Sequence, residues 1–160
     1  MLSIQVSDIK DFMSHLLSKD TFDHFYFIEA SIKMGVSYQI QGHINEGFYD
    51  TNVEQTLNRE FCYWKEIRGR IFDIIKGKRL PLSCKLVFGL PRQSIAYLIA
   101  HSNSSFREED IEGIYMNILY DPKSLLITTG ISYKNFSLDK SLEYAFDEYL
   151  VKFLKEKAGI

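Results

Sequence analysis

The order in which strand-like and helical hydrophobic patterns alternate along the chain is the feature that most constrains its fold. In chain order the patterns predict a strand at 2–6, a helix to about Leu17, a hairpin of 24–33 with 36–45, a long helix between Val53 and Lys76, a strand at 82–90, a helix at 91–101, a hairpin of 114–120 with 125–130, and a last helix after Asp139. A unit of strand, helix, hairpin and long helix thus occurs twice, about 80 residues apart. We predict an α+β fold of duplicated β-α-β-β units, in which helices cover one face of an antiparallel sheet.

Single residues mark several boundaries between these elements. Ser7 is predicted to cap the first helix, and Gly77 to take the left-handed conformation that often follows a helix. Residues 121–124 carry the signal of a type I turn, with proline at its second position. Met34 and Gly35 predict a tight two-residue turn in the first hairpin.

Length and composition limit the class of protein. The 160 residues include 19 basic and 21 acidic side chains, which gives a formal charge of −2. This length predicts a single domain, 1–160, with halves of about 1–80 and 81–160. Aromatic residues make up 14% of the chain, which excludes disorder, and no apolar run reaches the roughly 20 residues of a membrane span. With no secretory signal and two isolated cysteines, we expect reduced thiols and a cytoplasmic location.

Three segments resemble an uncharacterised family of small bacterial proteins, a domain of unknown function. They are FDHFYFIEASI at 22–32, WKEIRGRIFDIIKGKRLPL at 64–82 and LDKSLEYAFDEYLVKFLK at 138–155. The resemblance extends over the chain as a whole. Because the family has no assigned activity, the resemblance implies membership and no mechanism.

A second resemblance is one of pattern, to a single domain of a DNA sliding clamp. The chain begins with a strand, a helix and a hairpin, and LVFGLPRQSIAYLIA at 86–100 resembles the clamp strand that leads into a second helix. LLITTGISYKNFSL at 125–138 is similar to the clamp's closing strands. The long helix before Lys76 departs from a clamp domain, and other duplicated folds, such as bacterial effector-binding domains, match nearly as well. The resemblance therefore implies a clamp-like scaffold, which by itself assigns no function.

Charge is distributed unevenly along the chain. Residues 1–64 carry 4 basic and 9 acidic side chains, residues 65–85 carry 7 and 2, and the remainder carries 8 and 10. Four cations of the middle segment predict a phosphate or nucleic-acid contact; they are Arg68, Lys76, Lys78 and Arg79. Alternatively, these cations complement the dipole at the end of the long helix and form ordinary surface pairs. No basic stripe follows the helices that would line DNA in a clamp.

Polar residues of the first hairpin form the second candidate site. With a two-residue turn, Lys33 lies opposite Val36, and four residues then share one face of the sheet: His24, Tyr26, Gln41 and His43. They could form a small polar ligand pocket beside Ile28, or merely an exposed polar face. A register slip of one residue would move them to opposite faces.

Glu29 interrupts an otherwise apolar strand between Ile28 and Ala30. A carboxylate in such surroundings has a raised pKa unless it is paired, and could act as a general acid or base together with His24 or His43. The alternative is a structural ion pair between Glu29 and Arg68 on the long helix.

Familiar catalytic and cofactor motifs are absent from the sequence. There is no phosphate-binding glycine loop, no nucleophile elbow and no histidine or cysteine spacing typical of a metal site. We therefore assign no catalytic residue, metal or cofactor. The leading hypothesis is a non-enzymatic module that binds a protein partner or small ligand and forms a homo-oligomer through exposed strand edges. Phosphate or nucleic-acid binding and an enzyme based on Glu29 remain the alternatives.

Overall fold

The computed structural model of the chain describes residues 1–50 and 58–160. Across these residues it holds one antiparallel sheet of six strands and four α-helices. In chain order the elements are β1 (Ser3–Gln5), α1 (Ile9–Leu17), β2 (Tyr26–Lys33), β3 (Ser37–Gln41), α2 (Trp64–Ile75), β4 (Ser83–Gly89), α3 (Arg92–Ala100), a 3-10 turn (Glu108–Asp110), β5 (Ile111–Asp121), β6 (Ser124–Tyr133) and α4 (Ser141–Lys157). The predicted α+β class is confirmed, as is the order of elements. Of the stretch predicted to contain the long helix, 53–57 lies outside the described residues.

The strands lie in the order β1-β6-β5-β4-β2-β3. The first strand of the second unit, β4, lies in the middle of the sheet between β2 and β5. The first strand of the first unit, β1, lies at an edge beside β6. Corresponding strands of the two units therefore pair differently, and the duplication remains a prediction.

One face of the sheet carries the hydrophobic core, to which all four helices contribute. Phe88 of β4 packs there against Trp64 of α2, with 5.0 Å between ring centroids, and the Trp64 indole N–H donates to the Leu16 carbonyl at 2.9 Å. Burying side chains of this size contributes about 2–3 kcal/mol each. The alternate residues of the strands lie on the opposite face, which is partly exposed: Leu119 of β5, for example, is 38% exposed.

Three local predictions were wrong. The carboxylate of Asp8, and not the hydroxyl of Ser7, caps α1 by accepting from the Asp11 N–H at 3.0 Å. Leu82, the first residue of the strand predicted at 82–90, lies before β4 and is 68% exposed. In the first hairpin Lys33 lies opposite Ser37, so that three residues form the loop and the register is shifted by one residue.

Other local predictions were confirmed. Gly77 follows α2 with a φ of +142°, a conformation that glycine adopts without a steric penalty. The second hairpin turns between Asp121 and Ser124, where the Asp121 carboxylate accepts from the Lys123 and Ser124 N–H groups at 2.8 and 2.9 Å. Among the described residues, no helix combines the length and apolar character needed to cross a membrane.

At Gly42 the hairpin opens and admits a further piece of chain. The Gly42 N–H donates to Ile28 at 2.8 Å, but its carbonyl accepts from Cys62 at 2.9 Å, and Cys62 in turn accepts from the Phe27 N–H at 2.9 Å. A side chain at residue 42 would overlap the Phe27 carbonyl oxygen, which explains the glycine. This insertion carries residues 58–63 to the start of β2, where they form one wall of a cleft.

Candidate functional site

A cleft of about 630 Å³ opens where β2 begins, β4 ends and β5 begins. Its volume lies within the range of roughly 300–1,000 Å³ that is common for small-molecule sites. The start of α3 and residues 58–61 complete its walls. Its lining consists of Tyr26, Ile28, Asn58, Arg59, Glu60, Phe61, Gly89, Leu90, Arg92, Gln93, Ile95, Glu112, Gly113, Ile114 and Tyr115.

The strand register places two tyrosines on either side of a glycine. Tyr26 of β2 lies opposite Gly89 of β4, and Gly89 lies opposite Tyr115 of β5. Residues directly opposite each other in a sheet point to the same face, and neighbouring strands are about 4.8 Å apart. The two phenol side chains therefore stand about 10 Å apart at their bases, with a groove between them.

A second glycine fixes how the Tyr115 side chain lies. A Cβ atom at Gly113 would overlap the Tyr115 hydroxyl and the adjacent ring carbon. The phenol of Tyr115 therefore folds back over the bare backbone of residue 113. The missing side chains of Gly89 and Gly113 leave room for the side chains of Ile28 and Tyr115, respectively, and both of these line the cleft.

Both tyrosine hydroxyls remain available to a ligand. Neither the Tyr26 nor the Tyr115 hydroxyl makes a hydrogen bond to the part of the chain that the structure describes. Burial raises the pKa of both phenols; Tyr63 raises that of Tyr26 further, and Glu112 that of Tyr115. At neutral pH both groups are therefore protonated, and each offers one O–H donor and one acceptor oxygen.

Arg59 lines the cleft, but its guanidinium is held by groups of its own wall. Its two terminal nitrogens bind the Glu66 carboxylate, one of them at 2.9 Å, and it lies over the Tyr63 ring at 4.6 Å. The hydrogen bond from Arg59 lowers the pKa of Glu66, which also accepts from the Tyr63 N–H at 2.8 Å. Arg59 therefore fastens residues 59–63 to the start of α2.

Arg92 is held in a similar way. It donates to the carbonyls of Glu108 at 2.7 Å and Ile111 at 2.9 Å, and to the Glu108 carboxylate at 3.2 Å. These bonds tie the start of α3 to the start of β5. The positive charges of the two lining arginines are thus compensated by carboxylates that do not line the cleft.

The two carboxylates that line the cleft, Glu60 and Glu112, have no arginine or lysine partner among the described residues. Oε1 of Glu60 lies 3.8 Å from Nε2 of His43, and both side chains are more than half exposed. Glu112 accepts from the Ser132 hydroxyl at 2.8 Å and forms no ion pair with any described residue. The cleft is therefore aromatic and acidic, a combination that attracts organic cations through carboxylates and ring faces.

The four hairpin residues predicted to form a ligand pocket do not lie together in the cleft. Tyr26 lines the cleft, and His43 lies at its outer rim beside Glu60, with its ring 5.7 Å from that of Phe61. His24 is exposed before β2, and Gln41 is exposed at the end of β3. The predicted pairing of Tyr26 with His43 was wrong, because the inserted segment lies between them: Tyr26 bridges to Tyr63, and His43 bridges to Phe61.

The prediction that Glu29 pairs with Arg68 was wrong. Glu29 is exposed on the open face of the sheet, opposite Gln41. Arg68 binds Asp23 instead, with Nε 2.8 Å from Oδ1, and both side chains are largely buried. Among the described residues Glu29 makes no ion pair, and the structure places it in none of the described cavities.

In the basic segment, 65–85, some of the cations form ion pairs with described residues and others do not. Arg68 is committed to Asp23, and Lys76 pairs with Asp73 at 3.0 Å. Lys78 and Arg79 are exposed and form no ion pair within 1–50 and 58–160. A phosphate or nucleic-acid contact by these residues stays a prediction.

The described residues contain no group of three or more histidine, cysteine or acidic side chains that could hold a metal ion. Cys62 and Cys84 are free thiols. Burial raises the pKa of Cys84 to about 11, so it remains a protonated, packed side chain at neutral pH.

Sequence reasoning missed Tyr115, Arg59 and Arg92 as residues of the site. The available signal was Gly89, inside the strand predicted at 82–90, since a glycine within a strand often marks a close approach. Gly113 lies just before the strand predicted at 114–120 and gave no such signal. The distant partners of the arginines could not be found from local pattern.

Comparison with known proteins gives a family without a described activity. A family model described as a family of unknown function, DUF5721, matches residues 15–159. No curated protein and no solved structure matches the chain. The clamp-like resemblance therefore remains unconfirmed.

Proposed function

The chain belongs to this family of unknown function, and from its own geometry we propose that it is a binding module whose cleft takes a small organic cation. One observation carries the proposal. Tyr26 and Tyr115 stand on either side of Gly89 with free hydroxyls, next to carboxylates that lack a strong cationic partner.

The charges of the cleft favour a cation over an anion. An anionic ligand would need the guanidinium donors of Arg59 and Arg92, which are already bonded to protein oxygens. An ammonium group can instead donate to Glu60, Glu112 and a phenol oxygen. It also gains about 0.5–2 kcal/mol from the face of an aromatic ring.

The groove between the tyrosines favours a flat or narrow ligand body. The Ile28 side chain lies over Gly89, with its Cδ1 atom 3.0 Å from where a Cβ of residue 89 would be, and gives the groove an apolar floor. Phe61 and Tyr26 extend the aromatic wall, with ring centroids 6.1 Å apart. The ligand class that fits is a primary amine, in its ammonium form, carried on a small ring or chain.

Three probes matched in size test this proposal by amide NMR titration: benzylamine, benzyl alcohol and benzoate. We expect benzylamine to shift the amides of Tyr26, Gly89 and Tyr115 saturably, with a millimolar dissociation constant, which is about −4 kcal/mol. Benzyl alcohol should bind more weakly and benzoate least. Equal or tighter binding of benzoate would refute the proposal.

Variants locate the effect in the cleft. Glu60→Gln combined with Glu112→Gln should weaken benzylamine binding about thirtyfold, since two carboxylates at about 1 kcal/mol each contribute about 2 kcal/mol. The matched control is Tyr144→Phe, because Tyr144 lies on α4 and is 70% exposed. An equal loss in the control variant would show that the binding site lies elsewhere.

A further inference from the structure

The free edge of β3 is built to pair with a copy of itself. β3 is the last strand of the sheet, and among the described residues it pairs only with β2. At the two ends of this pairing, Met34 donates to Val36 and Gly42 donates to Ile28, at 3.1 and 2.8 Å. Even-numbered residues of β3 therefore bond to β2, and odd-numbered residues direct their N–H and C=O groups outward.

Three outward-facing residues are spaced symmetrically about the middle of the strand. They are Ser37, Gln39 and Gln41, and all three are exposed. If two β3 strands run antiparallel with Gln39 opposite its own copy, Ser37 lies opposite Gln41 twice. All six outward N–H and C=O groups then find partners, as a two-fold symmetric interface requires.

The side chains also match under this symmetry. On the core side Tyr38 lies opposite Ile40 of the second copy, which covers an exposed tyrosine with an aliphatic side chain. On the open side the row through Ser37 continues inward to Lys33, and the row through Gln41 continues to Glu29. Each Lys33 then lies in the same row as Glu29 of the second copy, three strand spacings or about 14 Å away, so that no like charges meet across the contact.

Within 1–50 and 58–160, β3 carries none of the usual protections of an edge strand. Natural edges carry lysine, proline, a bulge or a cover that blocks pairing. β3 has the sequence SYQIQ, with no charged residue and no proline. At the other edge β1 offers only Ser3 to Gln5, a shorter strand.

We propose that two copies of the chain associate through β3 about a two-fold axis at Gln39, which joins their sheets into one of twelve strands. The contact involves five residues from each copy, so it falls below the roughly 1,200 Å² of a standard stable interface. We expect a dissociation constant in the micromolar range or weaker. This inference is independent of the cleft, since no residue of β3 lines it.

Cysteine cross-linking tests the register directly. Residues directly opposite in a bonded antiparallel pair have Cα atoms about 5.5 Å apart, which suits a disulfide. Gln39→Cys should therefore form a covalent dimer under mild oxidation, at least tenfold faster than Gln5→Cys on the other edge or the unsubstituted chain. Equal rates in the three proteins would overturn the proposal.

Sedimentation equilibrium provides the second test. Gln39→Pro removes an outward N–H without removing a bond to β2, and it should weaken the dimer more than tenfold, whereas Gln5→Pro should not. Tyr38→Lys, which places a charge opposite Ile40, should weaken it similarly if the proline variant fails to fold. A monomer at millimolar concentration, or a dimer lost with Gln5→Pro alone, would refute pairing through β3.

Discussion

Two glycine-to-alanine substitutions should have opposite consequences for folding and binding. At Gly42 a Cβ would overlap the backbone carbonyl of Phe27, which cannot move without breaking the sheet. At Gly113 a Cβ would overlap only the outer atoms of the Tyr115 side chain, which can rotate away. The first position therefore controls the fold and the second controls the cleft.

The size of each effect follows from the contacts. Displacing Gly42 endangers its two backbone hydrogen bonds, to Ile28 and Cys62, each worth about 1 kcal/mol. With the strain added, Gly42→Ala should lower the free energy of unfolding by about 2–4 kcal/mol. In Gly113→Ala a rotamer cost of about 1 kcal/mol is offset by the smaller backbone entropy of alanine in the unfolded chain, so stability should change by less than about 1 kcal/mol.

Urea unfolding monitored by circular dichroism measures both stabilities, and benzylamine titration measures the cleft. Gly113→Ala should keep its unfolding midpoint while benzylamine affinity falls about tenfold, because Tyr115 leaves the groove. Unchanged affinity in a folded Gly113→Ala protein would refute the account of the cleft. A fully stable Gly42→Ala protein would refute the account of how residues 58–63 are inserted.

Three further predictions concern the structural contacts around the site and core. Arg68→Ala leaves the largely buried Asp23 carboxylate without its partner and should lower the free energy of unfolding in urea by about 3 kcal/mol. The control Arg70→Ala, on the exposed side of α2, should lower it by less than about 0.5 kcal/mol. The pKa of Glu66 is lowered from 4.5 in the folded state, so its contribution to stability is present above pH 4.5 and is lost as the pH falls through the folded pKa. Glu66→Gln should therefore flatten the pH dependence of the free energy of unfolding below pH 5. An unchanged slope would contradict this. Because burial raises the pKa of Cys84 to about 11, that thiol should react with a disulfide reagent at pH 8 only upon unfolding, and rapid labelling of Cys84 in the folded chain would contradict its burial.

Much of the fold could be predicted from the sequence because its elements are encoded locally. Alternating apolar residues in β5 and the stripe of α2 each match one buried face, and the core residues Ile114 and Trp64 lie where the pattern places them. The second hairpin was also predictable, since Asp121 supplies its own turn-forming hydrogen bonds.

The register of the first hairpin could not be predicted in the same way. Met34-Gly35 suits a two-residue turn, but Met34 donates to Val36 and closes a three-residue loop instead. A slip of one residue exchanges the faces of a strand, but the bulge between Phe27 and Glu29 offsets it at Tyr26. The insertion of residues 61–63 between Tyr26 and His43 is what separates the predicted pocket residues.

Most of the candidate site could not be predicted from the sequence because it is assembled from distant segments of the chain. Tyr26 and Tyr115 are 89 positions apart and meet only through the pairing of both strands with β4. Likewise, the partners that neutralise Arg59 and Arg92 depend on tertiary structure, so the acidic character of the cleft does not follow from the net charge of the chain.

Intermolecular NOEs between benzylamine and the protein would test the central claim most directly. If the cleft binds organic cations, the ring and methylene protons of benzylamine should show NOEs to the ring protons of both Tyr26 and Tyr115. NOEs confined to Tyr97 and Tyr149, which line a separate apolar groove between α3 and α4, would contradict the account, as would their complete absence at saturating benzylamine.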